Sequence, residues 1–238
     1  MSISTQLQAA EDRFDQLWQQ ARQNLLDGNI VASKMNNGTT DPVDYCLSTI
    51  APLYIQAQNP IETIETIKNE LLLAAGGDQF FYPRPSIHIS LLACTQRDAS
   101  PEAFSAERIR QVGDICAKTI AGTGRVAMQL RGVNLIGNQV FIQAFPQTYQ
   151  WAVLRQKLEE ALLAAGETPI THLDKTPIHV NLMRLTATSR EKLTALLHTI
   201  ERLRQVEIGN VTISEIELVL TDFVVSACHT KLLRKFTL

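Results

Sequence analysis

Two histidines in this chain stand in matching company. Ile87-His88-Ile89-Ser90-Leu91 returns in the second half as Ile178-His179-Val180-Asn181-Leu182, with a proline just upstream of each copy (Pro85, Pro177) and a threonine at one shared offset behind (Thr95, Thr186). Imidazole titrates near pH ~6.5, so of two rings in one site one can be neutral and the other protonated around neutrality. The neutral ring can take a proton from water while the cationic ring gives one to a departing oxygen, which is the chemistry of phosphodiester cleavage. Ser90 and Asn181, each two residues beyond a histidine, can donate hydrogen bonds to nonbridging phosphate oxygens as charge builds. Such a reaction calls for no metal and no other cofactor.

Both copies read as strands, in which alternate side chains point to opposite faces. His88 and Ser90 then share one face, as do His179 and Asn181, while Ile87, Ile89, Leu91 and Ile178, Val180, Leu182 form the other. A single histidine in an apolar strand is most often structural, its ring nitrogens satisfied by neighbours. Recurrence of the whole pattern, polar partner included, favours a shared site.

The elements between the motifs are placed to repeat as well. Tyr45 to Ile55 is β-rich, and Asn59-Pro60 with Glu62 starts a helix with Ile64, Ile67, Leu71 and Leu72 inward, ended by Gly76-Gly77. The first histidine strand follows. Ser100-Pro101 opens a helix burying Phe104, Ile109, Val112, Cys116 and Ile120. Val126 to Ile136 and Val140 to Phe145 form a hairpin about Gly137-Asn138, and Tyr149 to Ala165 is helical up to Gly166. The second histidine strand comes next. Thr188 and Glu191 resemble a capping box for a helix through Leu203, and strands are expected at Val211 to Leu220 and Leu232 to Leu238. Strands and helices alternating twice predict an α/β (α+β) fold of two lobes about a pseudo-twofold axis, with the histidine strands facing one another.

Ahead of this body, Ile3, Leu7, Ala10, Phe14, Leu17, Ala21 and Leu25 form one stripe of an amphipathic helix, expected to pack on the body. Residues 29–43 read as a linker or surface loop. The domain reading is therefore 1–44 for helix and linker and 45–238 for the bilobal domain.

With 238 residues, 45% hydrophobic and 19% charged, core material is ample and disorder is not indicated. A net charge of -2 argues against a track for long nucleic acid. A small phosphodiester, a nucleotide or a short RNA end remains a fitting partner. Cys46, Cys94, Cys116 and Cys228 are scattered without zinc-site spacing, and the first 26 residues lack the apolar run of a secretory leader, so reduced thiols and a cytoplasmic location are expected. No stretch is long enough to span a membrane.

The paired motifs resemble those of the two-histidine (2H) phosphoesterase superfamily, which includes RNA 2',3'-cyclic phosphodiesterases, also known as 2',5' RNA ligases. That family carries two His-x-Thr/Ser motifs, each followed by an apolar residue. His88-Ile89-Ser90-Leu91 matches the first fully, while His179-Val180-Asn181-Leu182 departs from the second at Asn181. The likeness extends to the late strand Val211 to Leu220 and a closing one from Leu233 to Leu238. It implies two antiparallel sheets flanking a central cleft with helices outside, and hydrolysis of a cyclic or otherwise activated phosphodiester without a cofactor. His88 and His179 would be the catalytic pair, in roles that the sequence does not distribute. At Asn181 an altered substrate preference or rate is expected.

Other residues are weaker candidates. Tyr82 and Arg84 lead into the first histidine strand and are placed to stack on a base or pair with phosphate. Lys175 stands similarly before the second. His172 beside Asp174 suggests a loop rather than a metal site, and His198 and His229 read as surface residues. Arg190, Lys192, Arg202 and Arg204 read as a solvated helix face. A second reading keeps the fold but not the turnover: a module that only binds nucleotide or RNA-end phosphate.

Overall fold

Turn residues and apolar periodicity divide the chain into alternating strands and helices, and the computed structural model describes residues 3–36, 38–170, 177–186 and 189–238. Helix α1 (Ile3–Leu26) leads to a small hairpin of β1 (Met35–Asn36) and β2 (Thr39–Thr40). Strand β3 (Tyr45–Pro52) runs into a short helix α2 (Leu53–Gln56) and then α3 (Gln58–Ala75). Next come β4 (Phe80–Phe81), the first histidine strand β5 (His88–Ala93) and α4 (Ala106–Ile120). The hairpin β6 (Val126–Ile136) and β7 (Gln139–Pro146) turns at Gly137, whose φ of +56° suits glycine. It is followed by α5 (Gln150–Ala164), the second histidine strand β8 (His179–Arg184) and α6 (Arg190–Leu203). Strands β9 (Glu207–Ile213), β10 (Glu215–Asp222) and β11 (Lys231–Thr237) close the chain.

The strands assemble into a 9-stranded antiparallel sheet in the order β11-β10-β3-β5-β8-β7-β6-β9, with β4 added on β8. The fold is thus of the expected α+β class, and the two sheets are two halves of one continuous sheet. The halves meet where β5 and β8 pair, at Ile89 opposite Val180. These two residues hold the same place in the repeated motif, so the pseudo-twofold axis runs between them.

The repeat is faithful to the level of register. Pro52, Ala51 and Ile50 of β3 face His88, Ile89 and Ser90, as Gln143, Ile142 and Phe141 of β7 face His179, Val180 and Asn181. Both pairings then shift by one residue, leaving Ser48 opposite Ala93 and Gln139 opposite Arg184. Helices cross over with the same symmetry: α3 leaves the first half to pack on α6 and β9 of the second, while α5 leaves the second to pack on α4 and β5 of the first. Ile87, Ile89, Leu91, Val180 and Leu182 lie fully buried in the main apolar core. That face holds the sheet together and leaves the histidine face to form a site.

Several local expectations are corrected. Leu72 is exposed, because α3 turns its Ile64, Ile67 and Leu71 stripe inward and Leu72 away. Ser100-Pro101 caps only a 3-10 turn, Pro101–Ala103, and α4 starts later with Ser105 accepting from the Arg108 amide. Thr188 lies outside the described residues; Ser189 caps α6 by accepting from the Lys192 amide. The run from Val211 to Leu220 breaks at Ser214, sending β9 to the edge of the second half and β10 into the first. Gln56 fixes this crossing, its Oε1 accepting from the Ser214 and Glu215 amides at 2.7 and 2.9 Å.

The segment before β3 is more than a linker. Ile30 is buried, the Ser33 amide donates to the Leu185 carbonyl at 2.7 Å, and the Thr39 hydroxyl donates to Asp222. Helix α1 packs on β6, β7 and α6, placing Trp18, Ala21 and Leu25 in the main core. Its Phe14 meets Phe141 and Phe145 of β7 on the histidine face of the second half. No helix among the described residues is long and apolar enough to cross a membrane.

Candidate active site

His88, Ser90, His179 and Asn181 line a single cavity of about 830 Å³ on the face of the sheet opposite the main aliphatic core. The twofold pairing of β5 with β8 is what brings them together: each histidine lies next to the Ile89–Val180 junction, on the face opposite the buried aliphatics.

The two imidazoles are held alike. His88 Nδ1 lies 2.7 Å from the Ser86 carbonyl and His179 Nδ1 lies 2.9 Å from the Pro177 carbonyl, in each case two residues upstream. A carbonyl can only accept, so both Nδ1 atoms carry hydrogen and both neutral rings keep their lone pair on Nε2. Burial disfavours the charged form of each ring. It pushes His88 down to about 4, helped by His179 and opposed by the Ser86 carbonyl. His179 is lowered too, first by burial and further by the Arg184 cation, against the Pro177 carbonyl.

At Nε2 the halves part. His88 Nε2 meets the Ser90 hydroxyl at 3.2 Å. His179 Nε2 meets instead the Gln139 side-chain amide at 3.1 Å, and the same amide nitrogen donates to Asn181 Oδ1. Arg184 holds the other end of Gln139, Nη2 donating to Oε1 at 3.0 Å, and Arg184 Nε donates to the Tyr82 hydroxyl at 2.9 Å. The His179 ring rests on Phe141 with centroids 5.0 Å apart, so the aromatic cluster beneath α1 also supports it.

Tyr82 and Arg84 are placed otherwise than their sequence positions suggest. Tyr82 is 0% exposed, packed against Phe80 and buttressing Arg184 from behind, so its ring offers no face to a base. Arg84 pairs with Glu62 at 3.0 Å and does not line the cavity. His172, Asp174 and Lys175 lie outside the described residues. His198 is exposed, whereas His229 Nδ1 is bonded to the Tyr45 hydroxyl at 2.7 Å. Lys192, Arg202 and Arg204 are matched by Asp78, Glu70 and Asp15.

Among the cavity residues that sequence reasoning passed over are Gln139, Arg184, Arg97 and Phe223. The register shift in β7–β8 explains Arg184. Simple alternation puts residues 179, 181 and 183 on one face and Arg184 among the aliphatics; the irregularity turns Met183 into the core and Arg184 into the site. Phe223, on the turn after β10, has the Arg97 and Arg184 guanidinium carbons 4.5 and 4.4 Å from its ring centroid. Asp222 anchors that turn: it accepts from the Ser226 amide and hydroxyl at 2.8 and 2.7 Å.

No protein-family model matches the chain, and no curated protein does. Solved structures do. A crystal structure of TT0787 of Thermus thermophilus superposes with a TM-score of 0.58 at 13% identity, covering 81% of this chain and 97% of the other. A crystal structure of a phosphoesterase gives 0.53 at 13% identity, with the same coverage of 81% and 97%. The chain therefore shares the fold of these proteins, one of them a phosphoesterase.

Proposed function

We propose that this chain is a phosphoesterase that hydrolyses a 2',3'-cyclic phosphate or a related small phosphodiester on a nucleotide or short RNA end. The observation that carries this reading is the matched presentation of His88 and His179: two Nε2 atoms, each fixed in orientation by a backbone carbonyl, in one cavity. The fold shared with a phosphoesterase supports it.

In this reaction the neutral imidazole accepts a proton from water through Nε2 as the water oxygen bonds to phosphorus. The other imidazole, protonated, gives its Nε2 proton to the ribose oxygen as the P–O bond breaks. Ser90, the Asn181 amide and the Arg184 guanidinium supply hydrogen bonds and positive charge toward the phosphate. Burial keeps both rings neutral in the free protein, and the negative charge of a bound phosphodiester offsets that penalty and lets one ring take up the proton.

Turnover of nucleoside 2',3'-cyclic phosphates by the wild type, His88→Ala and His179→Ala tests the assignment. Wild-type turnover with loss in both variants is expected; equal rates in all three overturn it. One observation favours the alternative of a binding module without turnover: Gln139 already occupies His179 Nε2. That reading predicts phosphate-dependent binding of the same nucleotides with no hydrolysis.

A further inference from the structure

The register-matched halves allow each polar group of one half-site to be set against its counterpart. Ser90 corresponds to Asn181, Ser48 to Gln139 and Ala93 to Arg184. In the first half the histidine is served from its own strand: the Ser90 hydroxyl meets His88 Nε2, while Ser48 turns to the Leu92 carbonyl and Ala93 has no polar group. In the second half the Ser90 counterpart, Asn181, hands that contact to Gln139, which reaches His179 from the neighbouring strand.

The polarity of this arrangement is fixed from its far end. Arg184 can only donate, so it takes the Gln139 oxygen, and the Gln139 –NH2 must face His179 and Asn181. An –NH2 group can only donate as well. It satisfies a neutral His179 Nε2, and it conflicts with a protonated one, because two N–H groups would then point at each other. The Ser90 hydroxyl has no such restriction: it donates to neutral His88 Nε2 or, after rotation, accepts from the protonated ring. Among the described residues, the charged and titratable side chains that share the cavity with His179 are Arg184, Arg97, His88, Asp222 and Cys46. Of these Arg184, a cation tied to Gln139, acts with the amide against protonation of His179.

We infer that Gln139, coupled to Asn181, is a positioning residue that fixes the His179 ring and holds it in its neutral form, whereas His88, with its reversible Ser90 partner, is free of that constraint. The coupling of Gln139 to His179 rests on this geometry; only its effect on turnover rests on the proposed phosphodiester chemistry. Asn181 is then one half of an amide pair that replaces a hydroxyl.

The experiment is a histidine titration by NMR on the full chain, wild type against Gln139→Glu and Gln139→Leu. A carboxylate in place of the amide accepts from a protonated Nε2, so Gln139→Glu should raise the His179 pKa by about one unit or more, with a smaller change at His88. Gln139→Leu removes the donor and should also raise it, by less, while preserving a well-dispersed spectrum. An unmoved His179 titration in Gln139→Glu overturns the inference, whether or not the chain turns over any substrate. Kinetics add the second readout: Gln139→Leu should cut kcat roughly 10- to 100-fold with little change in KM. A moved titration in a chain whose wild type hydrolyses no cyclic phosphate leaves the coupling standing and removes the proposed function. Asn181→Ser supplies a cycle: it should cost turnover in the wild type and much less in Gln139→Leu, and equal losses in both backgrounds overturn the coupling.

Discussion

The first half-site is built from one strand and the turn leading into it, the second from three separate parts of the chain. His88, Ser90 and the Ser86 carbonyl lie within five consecutive positions, whereas His179 draws on Gln139 of β7, on Arg184 at the far end of β8 and on Tyr82 ahead of β5. Helix α1 deepens the contrast, since its Phe14 packs under the second half through Phe141, on which the His179 ring rests. A fold repeated to the register has thus acquired two different ways to orient the same ring. Local hydrogen bonds suffice where a hydroxyl follows the histidine; once asparagine stands there, the polar partner comes from across the sheet.

Losing either imidazole is the severest way to test whether the halves remain equal partners. His88→Ala and His179→Ala should each lower kcat roughly 10²- to 10⁴-fold, and a deep loss in only one would show that the other ring has ceased to act. Phe14→Ala breaks the asymmetry from outside. Phe14 is 1% exposed, so its truncation should cost about 3–5 kcal/mol in a denaturation experiment and shift His179 resonances more than His88 resonances.

The pH dependence of stability addresses the first half. His88 goes from about 6.5 in the unfolded chain to about 4 in the native one. The unfolded state therefore binds the proton first: stability is fully present above pH ~6.5 and falls as pH drops toward 4, by about 3 kcal/mol from this group. Urea unfolding across that range should show the loss, and His88→Leu should show less of it. If the chain hydrolyses a phosphodiester as proposed, the downward shift of both rings predicts a kcat/KM optimum below pH ~6.5, with the kcat optimum higher once phosphate is bound.

Smaller effects sharpen the picture. Tyr82→Phe leaves the ring but removes the acceptor for Arg184 Nε, and should cost about 1–2 kcal/mol while loosening the Gln139 end of the second half. Arg84→Ala removes an exposed pair with Glu62 and should change stability by at most about 1 kcal/mol, with kcat unchanged. A catalytic defect in Arg84→Ala would return that residue to the site.

The legible parts of this molecule are those governed by nearest neighbours along the chain. Alternation in Ile87 to Leu91 and Ile178 to Leu182 is enough to put both histidines opposite the core, and Gly137-Asn138 is enough for the β6–β7 hairpin. Tyr82 misleads because an aromatic before a motif has the same local appearance whether it faces a ligand or the back of an arginine. Arg184 is hidden by its own strand: parity counted from His179 assigns it to the core, and only the register shift reverses that. Gln139 carries a faint signal in the alternation Gln139, Phe141, Gln143, Phe145, which sets it on a polar and aromatic face, but nothing in the chain says that this face continues into that of β8.

The sequence by itself determined the repeat, the strand character of both motifs and the face on which each histidine lies, because residue type and period-2 alternation are properties of short segments. Tertiary structure alone decided which donor meets each Nε2, that α1 supports the second half, and that one amide holds Arg184, Asn181 and His179 together. Those outcomes depend on strand register and helix crossing, and both are set by contacts between residues far apart in the chain.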